Sequence, residues 1–158
     1  MNSFLKEIRE KVDESCLTRG GLKKQGCEVP LKNVPHPRLV VDFDNPGSPL
    51  SDDSHRCDYL LAAEDQKKTG WVVLLELKRG KLDASTVVKQ LKAGSLAAEE
   101  IVPARCEARF RPVAASGGIS KHEIKQFRKK SNMISYRGKR EIARLISCGQ
   151  PLNSMLRS

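Results

Sequence analysis

The sequence predicts an α/β fold in which helices flank a central mixed β-sheet. Three observations predict it: helical periodicity over residues 3–16, an apolar run from Trp71 to Leu75, and a second helical pattern from Asp83 to about Val102. An unbroken apolar run is typical of a central strand that is covered on both faces. The predicted order is helix, three strands, helix, strand, then a further strand and helix, which is a layered α/β arrangement.

The first predicted helix carries an apolar stripe of Phe4, Leu5, Ile8 and Val12, and Gly20-Gly21 follows it. Prolines between there and Arg38 predict an irregular segment. The predicted strands are 39–43, 58–63, 71–78, 109–115 and 133–136. Asp83 is a suitable N-cap for the second helix. We also predict a turn at Gly117-Gly118 and a last helix over 139–148 that Gly149 ends.

The length and composition predict one globular domain, residues 1–158. Apolar residues make up 39% and charged residues 30% of the 158 positions, as in ordinary globular proteins. No stretch approaches the roughly 18 apolar residues of a membrane span. The N-terminus becomes charged too early for a signal peptide. We therefore expect no membrane association.

The five cysteines are odd in number and widely spaced. This spacing is not typical of a disulfide framework and favours a reducing, cytoplasmic compartment.

The positive charge is concentrated in the last third of the chain. Residues 1–101 carry 16 Lys+Arg and 16 Asp+Glu, whereas residues 102–158 carry 13 and 3. Such a one-sided field suits a polyanion. It also fits a solubility charge or a face that meets an acidic protein. Few aromatic residues lie in this region, which favours contact with a nucleic-acid backbone over base stacking. The candidate nucleic-acid-binding residues are Arg109, Arg111, Lys121, Lys125, Arg128, Lys129, Lys130, Arg137, Lys139 and Arg140.

The candidate chemistry lies at the end of the predicted central strand. Glu76 and Lys78 are two residues apart, so they share one face of that strand. Charged groups there need a partner or a metal, because burying an unpaired charge is costly. If the predicted strand that begins with Asp58 pairs with the central strand in antiparallel fashion, Asp58 comes level with Glu76. Two carboxylates and a lysine then converge at one end of the sheet.

Two carboxylates can bind Mg²⁺, which keeps several waters and accepts phosphate oxygens as ligands. Such an ion polarises phosphorus and lowers the pKa of a bound water. A nearby ammonium can orient that water and stabilise developing negative charge.

Asp58, then Glu76-Leu77-Lys78, then a helix with Gln90, resembles the PD-(D/E)XK nuclease superfamily. Its restriction-endonuclease-like core has the order α-β-β-β-α-β, and members are typically Mg²⁺-dependent phosphodiesterases, mostly on DNA. The resemblance implies Asp58 and Glu76 as ligands of Mg²⁺ (or Mn²⁺), Lys78 as the catalytic lysine and Gln90 as a supporting residue. Some members add an acid from the first helix, for which Glu7 is the candidate.

The chain departs from the superfamily pattern in three places. Cys57 stands where a proline would precede the aspartate, and Gly94 stands where some branches carry a tyrosine. The basic last third, about residues 102–158, matches no motif. The nearby Asp42, Asp44, Asp52, Asp53 and His55 are interpreted as loop polarity first and as secondary contacts second.

The prediction is a metal-dependent nuclease, endo- or exonucleolytic, that hydrolyses phosphodiester bonds in nucleic acid, with DNA favoured over RNA. The alternative is a non-catalytic nucleic-acid-binding or interaction module on the same fold. Taken singly, Glu76 and Lys78 are also compatible with a solvated ion pair at a strand end. A homodimer or larger complex stays open, since dimerisation is common where both strands are cut.

Overall fold

The computed structural model describes residues 4–50 and 55–156; Asp52 and Asp53 lie outside these ranges. The helices are α1 (Phe4–Lys11), α2 (Ala84–Ile101), α3 (Lys121–Phe127) and α4 (Asn153–Leu156), with 3₁₀ turns at Glu14–Cys16 and Lys130–Asn132. The strands are β1 (Leu17–Thr18), β2 (Leu22–Lys24), β3 (Cys27–Val29), β4 (Arg38–Asp42), β5 (Tyr59–Glu64), β6 (Gly70–Lys81), β7 (Ala108–Gly118), β8 (Ile134–Tyr136), β9 (Lys139–Glu141) and β10 (Arg144–Ser147).

The centre of the fold is a six-stranded mixed sheet in the order β1-β4-β5-β6-β7-β10. The first four strands pair antiparallel, and β6, β7 and β10 run parallel. The structure thus confirms an α/β fold with a mixed central sheet flanked by helices. Strand β6 lies in the interior of the sheet between β5 and β7, as its apolar run predicts.

Apolar side chains cover both faces of the sheet. One cluster joins α1 and α2 to Val72 and Leu74 of β6. The other joins the β2–β3 hairpin and α4 to Val73 and Leu75. The period of two along β6 therefore separates the two layers, and Glu76 shares the face on which α2 packs.

The predicted helices at 3–16 and 83–102 are found, the first with a change. Phe4, Leu5, Ile8 and Val12 are buried as expected, but α1 ends at Lys11. The side chain of Asp13 accepts a hydrogen bond from the Ser15 amide and begins a separate 3₁₀ turn. Helix α2 begins after its predicted N-cap, Asp83, whose side chain accepts from the Ser85 amide.

The prediction of a helix over 139–148 is wrong, because this segment forms β9 and β10. A two-residue turn at Arg137 and Gly138, with φ of 49° and 81°, joins β8 to β9. Strand β10 then pairs in parallel with the open edge of β7, from Arg144 opposite Val113 to Ser147 opposite Ser116. Pairing with a strand far away in sequence overrides the local helical pattern.

The predicted turn at Gly117-Gly118 is also wrong, since both residues continue β7. Strands β6 and β7 change register between Lys78 and Lys81. A Cβ at Gly117 would overlap the carbonyl oxygen of Arg79, so glycine permits the close approach of two backbones there.

The segment predicted to be irregular contains the β2–β3 hairpin, which turns at Gln25 and Gly26 with φ of 49° and 84°. Cys27 of this hairpin forms a disulfide with Cys148, 121 residues away. The odd number and wide spacing of the cysteines did not predict this disulfide; Cys16, Cys57 and Cys106 are free. Within the described ranges, no helix combines the length and the apolar character that a bilayer crossing requires.

Candidate active site and metal centre

Asp58 and Glu76 meet at one end of the sheet, as the sequence predicts. Tyr59 of β5 pairs with Leu75 of β6, so the preceding Asp58 comes level with Glu76. The Asp58 amide donates to the Leu75 carbonyl at 3.1 Å, and its Oδ2 accepts from the Leu77 amide at 2.8 Å. These backbone contacts hold the Asp58 carboxylate against the end of β6.

Glu76 is a buried carboxylate with only part of its hydrogen-bonding capacity used. Its exposed fraction is 2%, and its Oε2 lies 3.0 Å from Nζ of Lys78. Its Oε1 has no hydrogen-bond partner among the described residues. Oε1 of Gln90, which α2 brings to the same place, is buried in the same way and likewise lacks one in the described ranges. Two buried acceptors facing one small space indicate a site for a cation or a donor group.

Asp58, Glu76, Lys78 and Gln90 line a single pocket of about 280 Å³. Three separate parts of the fold supply them: the residue before β5, the second half of β6 and the second turn of α2. The structure thus brings together all four residues of the predicted core site.

Sequence reasoning missed several residues of this pocket. The remaining lining residues are Lys24, Gln25, Asp44, Arg56 and Leu77. Lys24 lies 3.0 Å from carboxylate oxygens of both Asp42 and Asp44, and Nε of Arg56 lies 2.9 Å from Asp44. The Gln25-Gly26 pair is a turn signal for a hairpin here, and Asp44 was interpreted as loop polarity first and as a secondary contact second.

Burial disfavours the ionised forms of the Asp58 and Glu76 carboxyl groups. Burial, together with the nearby Asp58 carboxylate, raises the pKa of Glu76 to about 8 against the opposing effect of Lys78. Burial also raises the pKa of Asp58 to about 6, although the Leu77 amide opposes this shift. Both carboxylates can be fully ionised at neutral pH only if additional positive charge enters the pocket.

In the outer part of the pocket, acidic and basic side chains form ion pairs with one another. Burial alone would lower the pKa of Lys24, but hydrogen bonds to Asp44 and Asp42 outweigh it and raise that pKa. Burial opposes ionisation of Asp44, yet the hydrogen bonds from Arg56 and Lys24 lower its pKa. This cluster balances its own charges, which leaves Asp58 and Glu76 with the single positive charge of Lys78 between them.

The residues fit a magnesium-like ion rather than a metal held entirely by the protein. In the part of the chain that the structure describes, no group of three or more His, Cys, Asp or Glu side chains is arranged to hold a metal. Mg²⁺ usually binds through one or two carboxylates and keeps several waters, which substrate phosphates can replace. Asp58 and the unpartnered Oε1 of Glu76 match that requirement.

Glu7 is not brought to this pocket. Its Oε1 accepts from Nη1 of Arg105 at 2.8 Å, and the hydrogen bond to Arg105 lowers the pKa of the Glu7 carboxyl. Strand β7, near whose start Arg105 lies, runs parallel to β6. Arg105 is therefore at the opposite end of the sheet from Glu76.

The candidate nucleic-acid-binding residues separate into three groups. Arg109 and Arg111 pair in register with Trp71 and Val73, near the far end of β6 and on the opposite face from Glu76. Arg137 donates from its guanidinium to the carbonyls of Glu99, Val102 and Pro103 and so caps α2. The others are exposed on or after α3 and on β9: Lys121, Lys125, Arg128, Lys129, Lys130, Lys139 and Arg140.

The two single-residue departures from the superfamily pattern contact each other. A Cβ at Gly94 of α2 would lie 2.5 Å from Sγ of Cys57 and 3.2 Å from Cδ2 of Leu74. Cys57 is fully buried beside Asp58, so the small residue in α2 leaves room for its sulfur. This contact sets how closely α2, and with it Gln90, approaches the sheet.

No family model, curated protein or solved structure matches this chain. The interpretation of the site therefore depends on the geometry of its own residues.

Proposed function

We propose that this chain is a divalent-cation-dependent nuclease that hydrolyses phosphodiester bonds, with DNA as the preferred nucleic acid. One observation carries the proposal: Asp58, Glu76, Lys78 and Gln90 converge on one buried pocket although they come from three elements. Their order and placement match the PD-(D/E)XK pattern. We accordingly propose a restriction-endonuclease-like core for the sheet and its helices.

Asp58 and Glu76 would hold the cation, Mg²⁺ or Mn²⁺. When bound, such an ion polarises a phosphate and lowers the pKa of a water. The backbone contacts of Asp58 fix one carboxylate, and the 3.0 Å ion pair with Lys78 fixes the other. Gln90 presents its side-chain amide to the same space from α2.

Lys78 is suited to contact the reacting phosphate. Its ammonium is one-third exposed, so it is accessible from the pocket mouth while it stays paired with Glu76. A fixed positive charge at this point stabilises the negative charge that develops on phosphate oxygens during hydrolysis. Removing one such group commonly costs a factor of about 10² to 10³ in rate.

The test is cleavage of single- and double-stranded DNA and RNA in Mg²⁺ or Mn²⁺, with chelator as the blank. We expect Glu76→Gln and Lys78→Ala each to lower the rate at least about 100-fold. Glu64→Gln is the matched control, because Glu64 is a buried acid at the opposite end of β5 and lies 3.8 Å from Lys68. It should cleave like the unmodified chain.

Cleavage that survives both Glu76→Gln and Lys78→Ala would refute the proposed site. If the unmodified chain binds nucleic acid but cleaves none in either metal, the proposed activity is wrong. A non-catalytic nucleic-acid-binding module would then be the better description.

A further inference from the structure

A second polar surface lies on α2, beside the pocket but on another face of the helix. Ser85, Lys89, Lys92 and Leu96 follow one another at spacings of four, three and four residues, so they form one stripe along α2. Their eleven-residue span corresponds to about 16 Å of helix. Lys89, the second residue of the stripe, directly precedes Gln90, so the stripe passes beside the pocket.

Two adjoining depressions follow this stripe and share Lys92; we call them together the α2 groove. The first, about 420 Å³, has His122, Gln126 and Asn132 as its far wall. The second, about 450 Å³, has Lys130, Met133 and Arg140 opposite Leu96. The α2 groove therefore consists of two depressions in line between α2 and the segment from α3 to β9, with the Lys92 side chain between them.

Specific contacts fix the far wall of the α2 groove to α2. Oε1 of Glu123 accepts from the Ala84 amide at 3.2 Å, and Nζ of Lys92 donates to the Ser131 carbonyl at 2.9 Å. The Ser95 hydroxyl donates to the Ser135 carbonyl. A wall held at both ends and in the middle gives the groove a defined width.

The side chains that line the α2 groove carry a net positive charge, with four Lys and Arg residues against two carboxylates. Its two acids, Asp83 and Glu123, are occupied by the amides of Ser85 and Ala84 at the start of α2. The second depression has no carboxylate among its described lining residues. The groove cations are Lys89, Lys92, Lys130 and Arg140.

One apolar residue distinguishes this surface from a simple basic patch. The side chain of Leu96 is 66% exposed on the floor of the groove, between the cations. A nucleic-acid strand presents phosphates alternating with the apolar faces of sugars and bases, which suits such a mixture. A polypeptide of acidic residues alone would pair with the cations but would make no use of the exposed Leu96 side chain.

We propose that the α2 groove holds the phosphodiester backbone of the strand that enters the pocket. This inference deepens the proposed function and depends on it for the direction of the strand. Lys89, Lys92, Lys130 and Arg140 contact successive phosphates, and Leu96 packs against a sugar or base between them. Such contacts hold a strand without reading its sequence.

The test measures binding and cleavage separately on the full chain. Binding of a labelled DNA oligonucleotide is followed by anisotropy in chelator over a range of salt concentrations. Two double variants are compared with the unmodified chain. One combines Lys89→Ala and Lys130→Ala, and the other combines Lys92→Ala and Arg140→Ala. The charge-matched control combines Lys6→Ala and Lys67→Ala, two exposed cations outside the groove.

Each groove double variant should weaken binding about tenfold or more and reduce the salt slope by about 1 to 2. The control should stay within about twofold of the unmodified chain, because its cations lie outside the groove. At saturating DNA, cleavage by the groove variants should approach the normal rate.

The inference would be overturned if the groove variants bound DNA as tightly as the control variant. It would also be overturned if the control variant lost as much DNA affinity as they did. Competition by polyglutamate as effective as that by DNA would favour an acidic protein partner and also overturn it. If DNA binds in the groove but is never cut, the proposed nuclease activity is wrong and the proposed binding role of the groove is supported. If DNA is cut and the groove variants bind DNA normally, only the proposed binding role of the groove is wrong.

Discussion

The pocket and the α2 groove lie on neighbouring faces of the same helix, yet they use charge in opposite ways. In the pocket, Glu76 is buried and paired with one lysine at a fixed distance. In the groove, Lys89, Lys130 and Arg140 are exposed to solvent. A buried charge interacts strongly with each neighbour, whereas exposed charges act through their sum and are screened by salt. Single substitutions should therefore matter most in the pocket.

The largest expected effect is a dependence of cleavage on pH that arises in the pocket alone. The pKa of Glu76 is raised to about 8 and that of Asp58 to about 6, so both acids hold protons on the acid side of these values. Protons then compete with the cation. At low Mg²⁺ and saturating DNA, we expect the cleavage rate to rise about 100-fold from pH 6 to pH 8.

The pH dependence has an internal control in the metal concentration. More Mg²⁺ should move the rise to lower pH, because the cation displaces the protons by mass action. A rate that falls with pH, or a profile that ignores the Mg²⁺ concentration, would contradict the assignment of Asp58 and Glu76 as the cation site.

The sequence could predict the core site because its geometry follows from local features. The apolar run of β6 places Glu76 at its end, and the short connection from β5 fixes the register that brings Asp58 alongside. The Asp83 cap sets the start of α2 and therefore the position of Gln90. Each of these features acts within about twenty residues.

The features that sequence could not predict depend on contacts between distant segments. Lys24 reaches the pocket because the β2–β3 hairpin packs on the sheet face opposite α2. The pairing of Cys27 with Cys148 spans 121 residues, and no spacing rule indicates it. Strand β10 forms because β7 offers it an edge for pairing. Local sequence does not contain that contact, and residues 139–148 were therefore predicted as a helix.

The next effect is on stability, where Glu76→Gln should raise the melting temperature of the metal-free chain. The folded state holds a proton on Glu76 that the unfolded state, with a pKa near 4.5, does not hold between about pH 4.5 and 8. The unmodified chain therefore loses stability as pH rises through this window, and the Gln variant avoids that loss. We expect a gain of several degrees at pH 8, where about 1 kcal/mol corresponds to roughly 2–4 °C.

The matching measurement is the melting temperature with Mn²⁺ added. The cation should stabilise the unmodified chain, more at pH 8 than at pH 6, and should leave the Glu76→Gln chain nearly unchanged. A destabilised Gln variant at pH 8 would show that the Lys78 pair outweighs the cost of burying the carboxylate. Groove variants such as Lys89→Ala should not alter the metal effect.

A smaller effect should come from the contact between Gly94 and Cys57 that sets the spacing of α2. Gly94→Ala places a methyl group 2.5 Å from Sγ of Cys57, and such overpacking typically costs about 1–3 kcal/mol. Cys57→Ala in the same chain should recover part of that loss, with a coupling of at least about 0.5 kcal/mol in denaturant unfolding. Additive losses would mean that the contact does not determine the approach of α2.

The smallest effect separates a pocket lysine from a groove lysine. Lys24 lowers the pKa of Asp58 by its charge, and it also neutralises Asp44, whose charge raises the pKa of both Asp58 and Glu76. Lys24→Met should therefore move the acid side of the cleavage profile to higher pH, by less than about one unit. Lys92→Met should weaken DNA binding and leave that profile in place, because Lys92 lines the groove and not the pocket. A shift to lower pH with Lys24→Met, or the same shift with both variants, would mean that the two regions do not divide binding and chemistry between them.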